Sequence, residues 1–320
     1  MDKINKMDNK LIIPLLGVFV GDSIGAYLEF KKDITDDDIR IAFTFPGGGV
    51  FNVGKGQPTD DSELTMALLQ ALIKNKSNTE LPVSLILDEY KKWFHSHPFD
   101  IGNTTRIAFS SNYPSYKHNH ILQLSESNGS LMRVIPIPIW YHNLPYETIM
   151  DFSKHDALLS HPNIVCQEVN AIYSLGIAYL INNTHDSHGT ITLMEEYVKE
   201  KCASKKVCEW FYNALSSDLL ETINCRIQIG HVKHAFQLSI HFLFYEYTFE
   251  KAIYQTLKLG GDTDTNCAIV GGMIATFNNY IPSYLIEPVL NFDCTTHGQI
   301  RPKKYSVKEN IHLFCDTLSV

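Results

Sequence analysis

The chain has 320 residues, 44% hydrophobic and 19% charged, which is long enough to bury a substantial core and too apolar for a disordered chain. Lys and Arg total 27 against 35 Asp and Glu, and the resulting net charge of −8 argues against general nucleic-acid binding. The seven cysteines are odd in number and form no CxxC pair, which argues against a disulfide framework or a structural zinc and for a reducing, cytoplasmic setting.

In chain order, residues 1–10 are polar. The apolar run from Leu11 to Gly21 follows three lysines, in the manner of a signal peptide, but is too short to span a bilayer. It continues into a polar motif that cleavage would remove, so no membrane segment is expected there. Residues 11–29 read as one helix, with Gly17, Gly21, Gly25 and Glu29 in one row four apart. Such a glycine row suits close packing against a second helix. Residues 31–40 read as a charged loop and 45–61 as a Gly/Pro-rich loop. Helical periodicity then covers Ser62 to Ile73 and residues 81–95. Residues 98–130 lack periodicity, and so long an irregular stretch suits a functional loop. Leu131 to Trp140 reads as a short helix broken by Pro136 and Pro138. Further helices are expected over 145–160, 164–181, 191–220 (one or two), 231–246, 249–259, 267–277 and 306–318. Strand signals are scarce, so the fold class is all-α, one domain over residues 11–320.

Two fragments carry the chemistry: Thr59-Asp60-Asp61-Ser62 and Gly260-Gly261-Asp262-Thr263-Asp264-Thr265-Asn266. Each precedes an apolar helical run. Helix capping explains one carboxylate at such a place. Two acids with threonine, found twice after a glycine loop, exceed what capping needs. Hard oxygen donors without Cys or His suit Mg²⁺, Mn²⁺ or Ca²⁺ rather than zinc. Spacing alone leaves capping and metal binding both open.

These fragments, with three others in the same order, resemble the ADP-ribosylglycohydrolase family, including the glycohydrolases that reactivate dinitrogenase reductase. The others are Gly21-Asp22-Ser23-Ile24-Gly25-Ala26-Tyr27-Leu28-Glu29, Asn128-Gly129-Ser130-Leu131-Met132-Arg133 and Ser160-His161-Pro162. The resemblance implies a compact orthogonal helical domain with a central cleft holding two Mg²⁺ or Mn²⁺ ions. It implies Thr59, Asp60, Asp61, Asp262, Asp264 and Thr265 as metal ligands. The implied reaction is hydrolysis of an ADP-ribosyl bond at C1″ of the distal ribose. ADP-ribosylarginine on a protein is the expected substrate, with serine-linked or small-molecule conjugates as alternatives. A pseudoenzyme that only holds ADP-ribose, and a two-metal diphosphatase, are the competing readings.

Within that resemblance Asp60, Asp61 and Glu29 are the candidate catalytic carboxylates, and Glu29 could equally be a gate or a group beside the metals. Asn128, Gly129 and Ser130 offer backbone N–H groups to a diphosphate, with Arg133 either pairing a phosphate or bracing a carboxylate. His161 is expected near the ribose and diphosphate. Phe51, in the loop after Gly47-Gly48-Gly49, could stack on a ring of the ligand. Two departures stand out: Pro58 before Thr-Asp-Asp, where an aromatic is usual, and a loosely matching Thr296-His297-Gly298-Gln299-Ile300-Arg301-Pro302.

Overall fold

The computed structural model describes residues 10–75, 77–110 and 119–318. They form seventeen α-helices, joined by turns and two short 3₁₀ segments. Among the described residues the β-type pairings are isolated bridges, Gly48 with Val53 and Ser127 with His231. The all-α expectation therefore holds.

The centre is a pair of helices far apart in sequence, α1 (Ile13–Gly25) and α15 (Thr263–Asn278). Both are buried along almost their whole length. The glycine row explains how they meet. A Cβ at Gly17 would lie 2.3 Å from the Gly271 carbonyl oxygen, and one at Gly21 would lie 2.1 Å from that of Cys267. One at Gly25 would lie 2.3 Å from the Thr263 carbonyl oxygen. The backbones touch, which only glycine permits. The row ends at Gly25, however. Residues 26–30 are turns, so Glu29 stands beyond the helix rather than on it. Phe30 then takes a left-handed φ of 57°, with its N–H donating to the Gly261 carbonyl at 3.0 Å.

Around this pair pack α3 (Asp60–Asn75), α9 (Ile164–Asn182), α13 (Val232–Phe244) and α14 (Phe249–Leu259). Helix α9 is long and apolar enough to cross a membrane, but 83% of its apolar window is buried inside the protein. Each of its fully buried Ile and Leu side chains contributes about 1.5–3 kcal/mol by leaving water. Apolar residues from α1 through α17 (Val307–Leu318) join one continuous core.

The structure corrects several boundaries. The charged stretch at 31–40 holds a helix, α2 (Asp36–Ala42), set by a Thr35–Asp38 capping box. Helix α3 begins at Asp60 rather than Ser62, and α15 begins at Thr263 rather than Cys267. The irregular stretch contains α5 (Asn103–Ser110) and α6 (His120–Leu124), with residues 111–118 outside the described part. In the C-terminal region, Ser283–Asn291 is helical despite Pro288.

Candidate metal centre and cleft

The first turns of α3 and α15 lie together beside the last turn of α1. Asp22 of α1 does the capping that sequence alone assigned to Asp60 or Asp61. Its Oδ1 accepts the Thr59 N–H and the Thr59 hydroxyl, both at 2.9 Å, and its Oδ2 accepts the Ser62 N–H at 3.1 Å. Asp60 and Asp61 are thereby released from capping. At α15, Asp262 occupies the cap position without making a cap hydrogen bond, and its Oδ2 instead accepts from Asn128 Nδ2 at 2.8 Å. Capping therefore does not account for these acids.

A cation does. Carboxylate oxygens of Asp22, Asp61 and Asp264 lie within 4.8 Å of one another, and so do those of Glu29, Asp100 and Asp264. Asp61 Oδ1 and Glu29 Oε2 are buried with no hydrogen-bond partner. Burial, then the charge of neighbouring acids, holds Asp60, Asp61 and Asp264 well above the usual carboxylate range. Burial, then Asp100 and Asp262, pushes Glu29 up to about 9. Burial, then Asp262 and Asp22, pushes Asp100 up to about 7. Among the described residues no Lys or Arg lines the cleft above them. Crowded acids with orphaned oxygens and no internal cation form a donor set for hard divalent ions.

The threonines flank this ring. Thr59 Oγ1 donates to Asp61 Oδ2 at 3.1 Å, and Thr265 Oγ1 lies 3.4 Å from the same oxygen. Thr265, Asp60, Asp264, Asp262, Glu29 and Asp100 face a cleft of about 350 Å³, whereas Thr59 and Asp61 sit behind it.

The lining continues with a 3₁₀ turn, Asn128–Ser130, of which Asn128 and Gly129 face the cleft. Asn128 N–H donates to the Gly230 carbonyl at 2.9 Å, tying the turn to the start of α13. Gly129 is needed because a Cβ there would lie 3.0 Å from both His161 Cε1 and Thr105 Oγ1. His161 lines the cleft, bonded through Nδ1 to Ser160 Oγ at 2.7 Å and through Nε2 to Ser127 Oγ at 2.9 Å. Burial, then Arg133, holds its imidazole well below its ordinary range, so it is neutral.

A family model described as ADP-ribosylglycohydrolase matches residues 6–307. The chain belongs to the ADP-ribosylglycohydrolase family. It is a hydrolase of glycosidic bonds. A protein of Acanthamoeba polyphaga mimivirus, provisionally named an ADP-ribosyl glycohydrolase, is 29% identical over 90% of this chain and 93% of its own. The ADP-ribosyl-[dinitrogen reductase] glycohydrolase of Rhodospirillum rubrum is 26% identical over 80% of this chain and 81% of its own. An ADP-ribosylarginine hydrolase of Serratia proteamaculans is 24% identical, with 83% and 70% covered. A solved chain from an ADP-ribosylglycohydrolase-related protein complex superposes with a TM-score of 0.72 at 17% identity, covering 89% of this chain and 93% of its own.

Within this glycohydrolase, the acids expected from sequence meet in one place, and two more join them. Asp22 lay inside a quoted motif without a role. Its signal was a lone carboxylate in the otherwise apolar α1, which needs a buried partner. Asp100 follows Pro98 and Phe99 in a loop, and nothing local marked it. Ser130 and Arg133 are placed away from the ligand face. Ser130 is fully buried and accepts from Asn170 Nδ2 at 3.0 Å. Arg133 is also fully buried; its Nε donates to Asp156 Oδ2 and its Nη1 to the Gly129 carbonyl, both at 3.1 Å. It braces a carboxylate and the 3₁₀ turn from behind. Phe51 packs edge-on against Phe99, ring centroids 6.0 Å apart, and does not line the cleft.

Proposed function

We propose that the chain removes ADP-ribose from modified arginine side chains of proteins, cleaving the bond from the guanidine nitrogen to C1″ of the distal ribose. The observation that carries this reading is the polarity of the cleft. Its lining combines a ring of acids, Asp60, Asp100, Asp264 and Glu29 among them, with the Asn128–Gly129 turn and a neutral His161. The Asn128 N–H is already given to the Gly230 carbonyl, which leaves the Gly129 N–H as the backbone donor for a diphosphate. A cationic guanidinium suits a cleft whose lining holds five acids and, among the described residues, no Lys or Arg. The names of the Rhodospirillum and Serratia relatives favour the same substrate class.

Two Mg²⁺ or Mn²⁺ ions would fit the donor set, which consists of Asp22, Asp61 and Asp264, with Thr59 beside them, and of Glu29, Asp100 and Asp264. Asp60, Asp262 and Thr265 are further oxygen donors at the edge of this set. When bound, such ions supply hydroxyl binding and charge stabilisation at the ribose. The chain's own residues do the rest. Asp60 and Glu29 reach the cleft and can take the proton of the attacking water. Asp61, behind the cleft, is a ligand rather than a base. Water adds its oxygen to C1″, the C1″–N bond breaks, and the arginine nitrogen regains a proton. A cytoplasmic setting belongs to the same reading, since all seven thiols are free.

The test is ADP-ribose release from arginine-ADP-ribosylated protein with Mg²⁺ or Mn²⁺, against excess EDTA and a serine-linked control. Metal-dependent release from arginine alone is expected. Release from the serine-linked protein alone would overturn the acceptor, and AMP as the product would overturn the bond.

A further inference from the structure

The loosely matching segment at 296–302 has its own task. Arg301 is 5% exposed and does not line the cleft, yet its guanidinium is fully engaged. Its Nε and Nη2 grip Glu63 of α3 at 2.9 Å (Oε1) and 2.8 Å (Oε2). Its Nη1 donates to the Ser96 and His97 carbonyls at 2.8 and 3.1 Å, and Nη2 also donates to Ser96 Oγ at 2.8 Å. Glu63 is further fixed by Trp93 Nε1 at 2.7 Å.

The two structures held together both bring acids to the cleft. Glu63 belongs to the first turn of α3, which carries Asp60 and Asp61. Ser96 and His97 open the loop that carries Asp100. His97 has a left-handed φ of 56°, and Pro98 stiffens the path to Asp100. Phe99 rests on Phe51, while Gln299 Nε2 donates to the Phe51 carbonyl and Gln57 Nε2 to the Gln299 carbonyl at 2.7 Å. The segment around Arg301 thus supports the Asp100 loop from behind.

We infer that Arg301 is a positioning residue: its forked guanidinium sets where Asp100 stands relative to Asp60 and Glu29. A planar fork can hold a carboxylate and two carbonyls at once, which a lysine ammonium cannot match in geometry. This inference rests on the reading of the cleft as the reaction site, and deepens it by naming what fixes one of its acids.

The test is a double-mutant cycle of Arg301→Lys and Asp100→Asn, read in kcat/KM for arginine-ADP-ribosylated protein and in Mn²⁺ affinity of the free protein. Arg301→Lys alone should lower kcat/KM and Mn²⁺ affinity about tenfold, a loss of ~1.4 kcal/mol. With Asp100→Asn already present it should cost less than about twofold. Equal losses in both backgrounds, or no loss in either, would overturn the inference and leave Arg301 a structural clamp. Should Arg301→Lys fail to fold, Ser96→Ala removes one of its bonds and enters the same cycle. If the wild type releases no ADP-ribose, the Mn²⁺ cycle still decides the positioning role, so the two readings fail separately.

Discussion

Asp60 and Asp61 are adjacent in the first turn of α3 and differ in access: the first reaches the cleft and the second lies behind it. Asp60→Asn should therefore cut ADP-ribose release about 10²–10⁴-fold, the span of a lost general base, while ADP-ribose binding survives. Steady-state kinetics beside calorimetric titration would read both. Gly129→Ala should act in the opposite sense, because its Cβ would press on His161 and Thr105 at 3.0 Å. It should weaken ADP-ribose binding about tenfold and change turnover of bound substrate less. At this scale the motifs made much of the site legible, because Thr59 to Ser62 and Asp262 to Thr265 are local in sequence. Asp100 was illegible for the converse reason. Its partners are Glu29, Asp60 and Asp264, and no window of sequence contains them together. Arg133 shows a third case, where residue type was read correctly but burial decided which of two carboxylate or phosphate partners it serves.

Among the elements, the α1–α15 contact is the most demanding. Gly21→Ala places a Cβ 2.1 Å from the Cys267 carbonyl oxygen, on backbone that cannot step aside alone. It should destabilise the fold by about 1–3 kcal/mol in urea denaturation. Gly102→Ala, whose nearest neighbour would be 4.0 Å away, serves as the neutral comparison. The long apolar helices were legible from periodicity, α9 above all. Helix α2 was not, because its first turn is three aspartates and reads as solvated charge. The readable sign was Thr35 three residues before Asp38, whose side chains cap each other's backbone. The end of α1 was missed because the four-residue rhythm to Glu29 continues past the point where the helix stops at Gly25. Tertiary contact with α15, rather than local propensity, sets that end.

Over the whole molecule, acids held above their ordinary range in the cleft make divalent ions a source of stability. Mg²⁺ or Mn²⁺ at about a hundred times Kd should stabilise the folded state by ~2.7 kcal/mol, and excess EDTA should lower Tm accordingly. A second balance lies far from the cleft. Burial raises Glu89, but hydrogen bonds from Lys304, Lys74 and Lys92 outweigh it and hold its carboxyl at about 2. The folded state therefore binds fewer protons than the unfolded one between that value and the ordinary 4.5. This stability is fully present above pH 4.5 and drains away as pH falls toward 2. Glu89→Gln should flatten the acid side of the stability profile, as urea midpoints between pH 3 and 5 would reveal. The touching backbones of α1 and α15 have a mechanical corollary. They act as the fixed jaw of a vise, since along the glycine row backbone meets backbone with no long side chain to compress or swing. On the proposed reading, a bulky modified protein would be admitted by the other jaw, the segments around Asp100 to Thr105 and Ile229 to Gly230. Target choice can thus drift through those segments while the spacing of the acids stays locked.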